Sequence, residues 1–380
     1  MSQNRTVSGQ KKKRKRVKTE KYFDYSLLFI VIFLVCFGLV MIYSTSAYNS
    51  QIVNEGDSFY YLKRQGMFAL LGFTGMIFIS RIPYNFWKRF TFIAYIGMNI
   101  LLVIVLVYGA ASHGQKRWIE IGPLRFQPSE IAKAVLIVFL AHVASQSVNQ
   151  LKNWRGVVKC FALTLPMIVL VTVSNLSTGI ILLGIAFIII FVASNQYKIF
   201  GGVILAGIGL VVVFLKMAAY RMDRIDAWLH VETSEYGYQT RQALYAIGSG
   251  GVFGKGLGRS VQKLSYVPEA HNDMIFSIIC EELGLFGAIA IILLFILLMW
   301  RCMMIANSAP DLYSALIVIG VMAQIGLQAC INIGVVTNTL PNTGVTLPFI
   351  SYGGTSVTFL LCEIGLVLSV SRSIRFGPES

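Results

Sequence analysis

Long apolar runs separated by short polar stretches repeat along nearly the whole chain. A helix needs about 20 apolar residues to cross a bilayer. Ten runs come near that length, at approximately 25–45, 65–81, 90–108, 129–147, 159–174, 176–194, 199–219, 273–300, 312–334 and 350–370. They do not alternate with period two, which argues against an outer-membrane barrel. The pattern predicts an all-α integral membrane protein of about ten transmembrane helices.

Composition supports this reading. Of 380 residues, 56% are hydrophobic and 13% charged, about half the charge of a soluble domain. The six cysteines lie singly in or beside apolar runs, so neither a disulfide framework nor a zinc site is indicated. The net charge of +15 is concentrated in residues 1–21. That segment reads as a disordered basic tail preceding a membrane domain over 22–375. Because a membrane span follows the basic run at once, it points to topology and anionic membrane lipids rather than to nucleic acid. No cleavable signal peptide is expected. Basic residues also mark the even connections: Arg81, Lys88 and Arg89; Lys152, Arg155 and Lys159; Lys198; Arg301; Arg372 and Arg375. The positive-inside rule then places both termini in the cytoplasm. It places 110–128, 220–272 and 335–349 outside, with the large loop between spans seven and eight.

Candidate chemistry gathers on that outer face. Tyr266–Phe276 carries Glu269, His271 and Asp273 at the mouth of the eighth span, where an ionisable group is costly unless paired or hydrated. Asp273 is the lead candidate for a general base, against the alternative that Asn272 or Asp273 simply caps the helix. Upstream, Arg221, Asp223, Arg224 and Asp226 open the long loop, and Tyr238–Gly248 reads as a short amphipathic helix. Ser249–Gly258 is glycine-rich but does not match a nucleotide P-loop. It reads either as a phosphate-cradling nest or as a re-entrant connection. Glu130 and Lys133, three residues apart in the fourth span, suit a structural ion pair. Glu281 and Glu282, two turns into the eighth span, require partners the sequence does not identify. Thr337–Gly344, Ser351 and Tyr352 offer uncharged hydrogen-bonding groups suited to sugar.

Four stretches in order, Gln115–Lys133, Arg241–Gly258, Pro268–Gly284 and Leu347–Ser356, closely resemble the SEDS family of bacterial cell-wall polymerases. The likeness covers about residues 22–375 and looks more like its division and sporulation branch (FtsW, SpoVE) than its elongation branch (RodA). The resemblance implies a peptidoglycan glycosyltransferase of the bacterial cytoplasmic membrane, with its active site facing outside. Lipid II would be the substrate, and a class B penicillin-binding protein and other divisome proteins the partners. It implies Asp273 as the catalytic residue. It makes Lys116, Arg117, Trp118, Arg241, Gln242, Lys255, Glu269, Ser351 and Tyr352 candidates for substrate binding. Lone interfacial basic residues and a tryptophan also have bland explanations, as snorkelling groups and an aromatic belt. No resident cofactor is evident, and the acidic pair Glu269 and Asp273 leaves room for a divalent cation, magnesium or manganese. One departure stands out: where many members carry an acid before the sixth span, this chain reads Ser174–Gly179 without one. A lipid II flippase and a non-enzymatic division scaffold are the rival readings.

Overall fold

In the computed structural model, which describes residues 23–53, 56–112, 115–121, 124–194, 197–216 and 225–374, helices of 18 residues or more occupy all ten predicted spans. They are α1 (Tyr25–Val53), α2 (Tyr60–Arg81), α4 (Thr91–Tyr108), α5 (Pro128–Gln146), α6 (Trp154–Ser174), α7 (Leu176–Ala193), α8 (Tyr197–Lys216), α10 (Ile275–Asn307), α11 (Leu312–Val336) and α12 (Gly354–Ser371). Two shorter helices are α3 (Asn85–Lys88) and α9 (Tyr238–Gly250). Among the described residues, eight of the long helices are both long and apolar enough to cross a bilayer. The other two are α2, with Lys63, Arg64 and Gln65 in its first turns, and α8. The basic tail 1–21, the charged residues Arg221, Asp223 and Arg224, and the side chain of Lys116 lie outside the described residues.

The helical reading omitted one feature. Residues 110–126 form a small antiparallel sheet of three strands, β1 (Ala110–Ser112), β2 (Gln115–Ile121) and β3 (Leu124–Phe126), in the order β1-β2-β3. Trp118 pairs with Ala110, and Ile119 with Phe126. The strands are too short for a periodic signal to separate them from polar loop. The sheet covers one end of α4, α5 and α6.

Local chemistry sets several helix ends. Pro128 begins α5, where its missing N–H costs nothing. Asn175 separates α6 from α7, its side chain accepting from Thr178 N. Asp311 and Ser314 form a capping box on α11. Close helix contact depends on small residues, as in other membrane bundles. A Cβ on Gly72 of α2 would stand 2.6 Å from Leu361 Cδ1 of α12, and one on Gly365 would stand 2.7 Å from Met76 O. At one end of the bundle, Arg301 of α10 binds Asp24 at 2.6 Å, and Lys88 binds Asp311 at 3.4 Å.

The helix that carries the site is not continuous. Gly284, inside α10, has φ 68° and ψ −165°, a backbone conformation open mainly to glycine. The kink breaks the helical hydrogen-bond ladder. The glycine-rich loop after α9 replaces it: Lys255 N and Gly256 N donate to the Glu281 and Glu282 carbonyls, each at 2.9 Å. In return Leu285 N and Phe286 N donate to Gly251 O and Val252 O, at 3.0 and 3.3 Å. Irregular backbone persists at membrane depth only where protein satisfies it, and this loop does so. Of the two sequence expectations for 249–258, the re-entrant connection describes its observed packing.

Gly284→Ala is therefore expected to destabilise the protein. A Cβ there would lie 2.3 Å from Gly254 N and 2.5 Å from Val252 O, at positive φ. Overpacking and backbone strain together predict a loss of about 2–4 kcal/mol. Gly248→Ala, where a Cβ meets nothing within 4 Å, should leave thermal unfolding in detergent unchanged. Equal melting of the two variants would count against the docked loop.

Candidate functional site

The long loop after α8, the last interhelical loop and the junction of α6 with α7 meet at one end of the bundle. Trp228 Nε1 donates to Asn338 O at 3.0 Å, Ser177 Oγ to Thr343 O at 2.8 Å, and Tyr352 N to His271 O at 2.9 Å. Asp273 sits where these segments converge, 8% exposed. The residue at the cap of α10 is Met274, not Asn272 or Asp273, so the capping alternative describes neither.

Amides surround Asp273. Asn332, buried on α11, donates through Nδ2 to the Asp273 carbonyl at 2.7 Å and to Val345 O at 2.8 Å. Gln239, at the start of α9, donates through Nε2 to Asp273 Oδ1 at 3.4 Å and to Pro268 O at 3.3 Å. Asn342 in turn donates to Gln239 Oε1 at 2.9 Å. An aromatic group closes one side: the His271 ring lies 4.5 Å from Tyr61 of α2 and 5.6 Å from Tyr352. Burial holds the His271 imidazole below its ordinary pKa, against the opposing pull of Glu269. Burial likewise raises the Tyr352 phenol, opposed by the charge of Arg64. Four non-glycine residues of the site loops adopt left-handed backbone, Ser265 (φ 70°), Glu269 (φ 54°), Asn338 (φ 56°) and Phe349 (φ 64°). Such strain concentrates at functional sites.

The other sequence candidates fall into different surroundings. Glu269 is exposed and accepts from the Asn272 side chain. Ser351 is buried, and its Oγ accepts from Leu347 N at 2.8 Å, closing a turn. Arg241 ties down the long loop, with Nη1 donating to Val231 O at 3.1 Å and Glu232 O at 2.6 Å. Gln242 follows it on α9, half-buried. Arg117 donates from Nε to Ser174 O at 2.8 Å, bracing the segment that lacks the acid. Trp118 is half-buried in β2.

Lys255 is not simply a loop cation: its Nζ lies 2.6 Å from Glu281 Oε1. Ser260 Oγ donates to the same carboxylate, as does Val261 N at 3.2 Å. Glu282 is held by Lys263 Nζ at 2.8 Å and by Ser44 Oγ of α1 at 2.7 and 2.8 Å. These are the partners of the two glutamates, and apart from Ser44 they come from the glycine-rich loop and its continuation. Deeper in the bundle, Glu130 and Lys133 pair at 3.0 Å as the spacing predicts, with Lys133 only 1% exposed. Gln324 Nε2 donates to the nearby buried Glu363 at 2.8 Å. A cleft of about 470 Å³ at the opposite end is lined by Asn153, Trp154, Arg155 and Lys159. Without a carboxylate it lacks a candidate base.

Sequence reasoning missed Gln239, Asn332, Tyr61, Arg64 and Gln65, and named Asn342 only as part of Thr337–Gly344. Asn332 carried a signal, as an amide in an otherwise apolar span. Gln65 clasps the last loop, bonding Ser351 O at 3.4 Å and Gly353 N at 3.2 Å. Pairings across nearly 290 positions leave no local trace.

A family model described as "Cell cycle protein", for FtsW, RodA and SpoVE, matches residues 25–375. Stage V sporulation protein E of Bacillus subtilis is 39% identical over 359 residues, covering 93% of this chain and 98% of that protein. A probable peptidoglycan glycosyltransferase FtsW of Geobacter sp. is 35% identical with the same coverage. Among solved structures, a chain of a peptidoglycan synthase complex, described as coordinating polymerization and crosslinking, matches with a TM-score of 0.78 at 27% identity, over 93% of this chain and 98% of that one. The rod shape determining protein RodA of Thermus thermophilus matches with a TM-score of 0.67 at 26% identity, over 93% and 97%.

The Lys263–Glu282 pair supplies a stability test. Lys263→Met leaves a fully buried carboxylate without its cation, which predicts a loss of about 3–5 kcal/mol. Lys263→Met combined with Glu282→Gln removes both charges and should recover most of it. Thermal unfolding in detergent reads both; a Lys263→Met protein as stable as wild type would show that the pair is not holding the loop.

Proposed function

This chain belongs to the FtsW, RodA and SpoVE family of multi-pass membrane proteins, and we propose that it is a peptidoglycan glycosyltransferase that polymerises lipid II. The observation that carries the proposal is a single carboxylate, Asp273, set among amides and aromatic rings where three interhelical segments meet. The buried acids Glu281, Glu282 and Glu130 each stand against a lysine within the framework. The positive-inside pattern supports an orientation with this end outside the cytoplasmic membrane.

In the reaction, an acceptor sugar hydroxyl attacks the anomeric carbon of the donor. Its proton passes to Asp273, the new glycosidic C–O bond forms, and the bond to the undecaprenyl pyrophosphate breaks. The leaving pyrophosphate carries the developing negative charge, which arginines meet well. Arg64 and Arg117 at this end are suited to that task. Lys255 is less suited, because Glu281 already balances its charge. Among the described residues no three His, Cys, Asp or Glu side chains converge on a metal position. A magnesium or manganese ion would take oxygen ligands from the substrate pyrophosphate and help to neutralise it. The likeness to a peptidoglycan synthase complex that coordinates polymerization and crosslinking supports a cross-linking partner, a class B penicillin-binding protein, and the FtsW and SpoVE relatives support work in division or sporulation.

A lipid II flippase is the second reading. The buried polar group of Glu130, Lys133, Gln324 and Glu363 favours it, because charged side chains inside a bundle often mark a path. Asp273→Asn discriminates. Glycan formation from labelled lipid II by the full-length protein, with a class B partner present, should fall about 10²–10⁴-fold while the melting temperature stays near wild type. Undiminished polymer from Asp273→Asn would remove Asp273 as the base. Lipid II translocation without polymer from wild type would favour the flippase.

A further inference from the structure

Three charged side chains lie inside the bundle where α5, α11 and α12 pack together. Lys133 Nζ binds Glu130 Oε2 at 3.0 Å. Glu363 of α12 lies within electrostatic reach of both. None of the three is more than 8% exposed. Two carboxylates against one ammonium leave a deficit of one positive charge when all are ionised. Among the described residues no other charged group acts on Glu363. Burying an uncompensated charge is strongly unfavourable. The hydrogen bonds show the same deficit. Gln324 Nε2 donates to Glu363 Oε2 at 2.8 Å. The remaining oxygens of the pair, Glu363 Oε1 and Gln324 Oε1, are buried and have no donor among the described residues. The nitrogen and oxygen of a side-chain amide can exchange places by a flip. A flip here would set the amide oxygen against the carboxylate, acceptor against acceptor. In either orientation the pair is short of one donor. Gln328, one turn further along α11, likewise has no donor on its Oε1.

We propose that Glu363 and Gln324 form a binding site for one monovalent cation, a proton or a sodium ion, between α11 and α12. The site is independent of the reading of Asp273 as the base. A proton taken from solvent onto Glu363 Oε1 neutralises the carboxyl and turns that oxygen into a donor for an amide oxygen. A sodium ion would draw instead on Glu363 Oε1 and on amide oxygen, ligands that suit a hard cation. Either occupant supplies the missing charge and satisfies the same orphaned oxygens.

The ionisable groups on the helices packed against α12 are few. From α5 come Glu130 and Lys133. Along α11, Gln324 and Gln328 carry no charge, and Tyr313 and Cys330 lie nearer its ends. Helix α2 has no ionisable residue from Gln65 to Ser80. Cys362, beside Glu363, turns to α2, where a Cβ on Gly75 would stand 2.8 Å from its Sγ. On α10, Glu281 and Glu282 are balanced by Lys255 and Lys263, and Arg301 by Asp24.

Thermal unfolding of the full-length protein in detergent tests the site. It is read against pH, and against sodium chloride replaced by choline chloride at constant ionic strength. A cation held by the folded protein and not by the unfolded chain raises the melting temperature. Glu363→Gln carries a donor and an acceptor without charge, so it imitates the occupied site. If the occupant is a proton, wild type loses stability as the pH rises and the proton leaves. Glu363→Gln should then match wild type at low pH and melt about 2–4 °C higher at high pH. If the occupant is sodium, wild type at high pH should gain a similar amount from sodium over choline, and Glu363→Gln should gain nothing. Glu130→Gln gives a second arm, which decides alone should Glu363→Gln fold poorly. With Glu130 neutral, Lys133 balances Glu363 and the need for a cation disappears. This variant too should lose the pH or sodium dependence that wild type shows. Wild type and Glu363→Gln with the same dependence on both pH and sodium overturn the proposal. Wild-type dependence retained in Glu130→Gln does so as well.

Discussion

The break in α10 at Gly284 is the constraint on which the rest of the structure depends. A helix interrupted inside a bundle leaves carbonyl and amide groups without partners, and lipid supplies none. The glycine-rich loop provides them by backbone pairing in both directions, and it brings Lys255 and Lys263 to two carboxylates of no measurable exposure. Each element is costly alone. A buried glutamate without its lysine is an uncompensated charge, and a loop at this depth without the kink would have unsatisfied peptide groups. Together they satisfy one another, so loop and helix form a single unit.

That unit determines where Asp273 stands. The loop enters the kink directly from α9, so docking it also places Gln239 at the start of that helix. It leaves through residues 259–272, which lead to Asp273 within two turns of the glutamates that hold the loop. Asn332 then fastens the Asp273 backbone to α11, and Gln65 of α2 fastens the last loop beside it. Left-handed Glu269 and Phe349 lie on these same short connections. Strain of this kind persists only where neighbours over-determine the backbone, and here four long helices do so.

Legibility in the sequence followed the range of the signal. The long helices were readable because an apolar helix of this length declares itself over some 20 contiguous residues, although only eight of the ten are apolar enough to cross a bilayer. The Glu130–Lys133 pair was readable because three residues on a helix fix one face. Asp273 was readable as a carboxylate placed where a carboxylate is expensive. The partners of Glu281 and Glu282 were not: Lys263 lies 19 positions away and Ser44 lies 238. Without the kink at Gly284 there is no reason for a loop to reach the eighth span. The sheet at 110–126 escaped because β1 and β3, with three residues each, carry no usable period and β2 alone does not declare a sheet. The basic candidates were legible by type but not by surroundings. The carbonyl partners of Arg241 and the carboxylate partner of Lys255 come from positions that the sequence does not connect.

The buried acids of this chain differ in place. Glu130, Glu281 and Glu282 each face a lysine across less than 3.1 Å, and these pairs join the glycine-rich loop and the deeper helices into the framework. Asp273 receives an amide donor from Gln239 and stands among loops that bear hydroxyls and amides. Glu363, buried inside the bundle, also accepts from an amide, that of Gln324. Neither burial nor the type of partner therefore sets Asp273 apart. Its place does: it stands where the interhelical loops meet, whereas Glu130, Glu281, Glu282 and Glu363 lie within the packed helices and the loop docked against them.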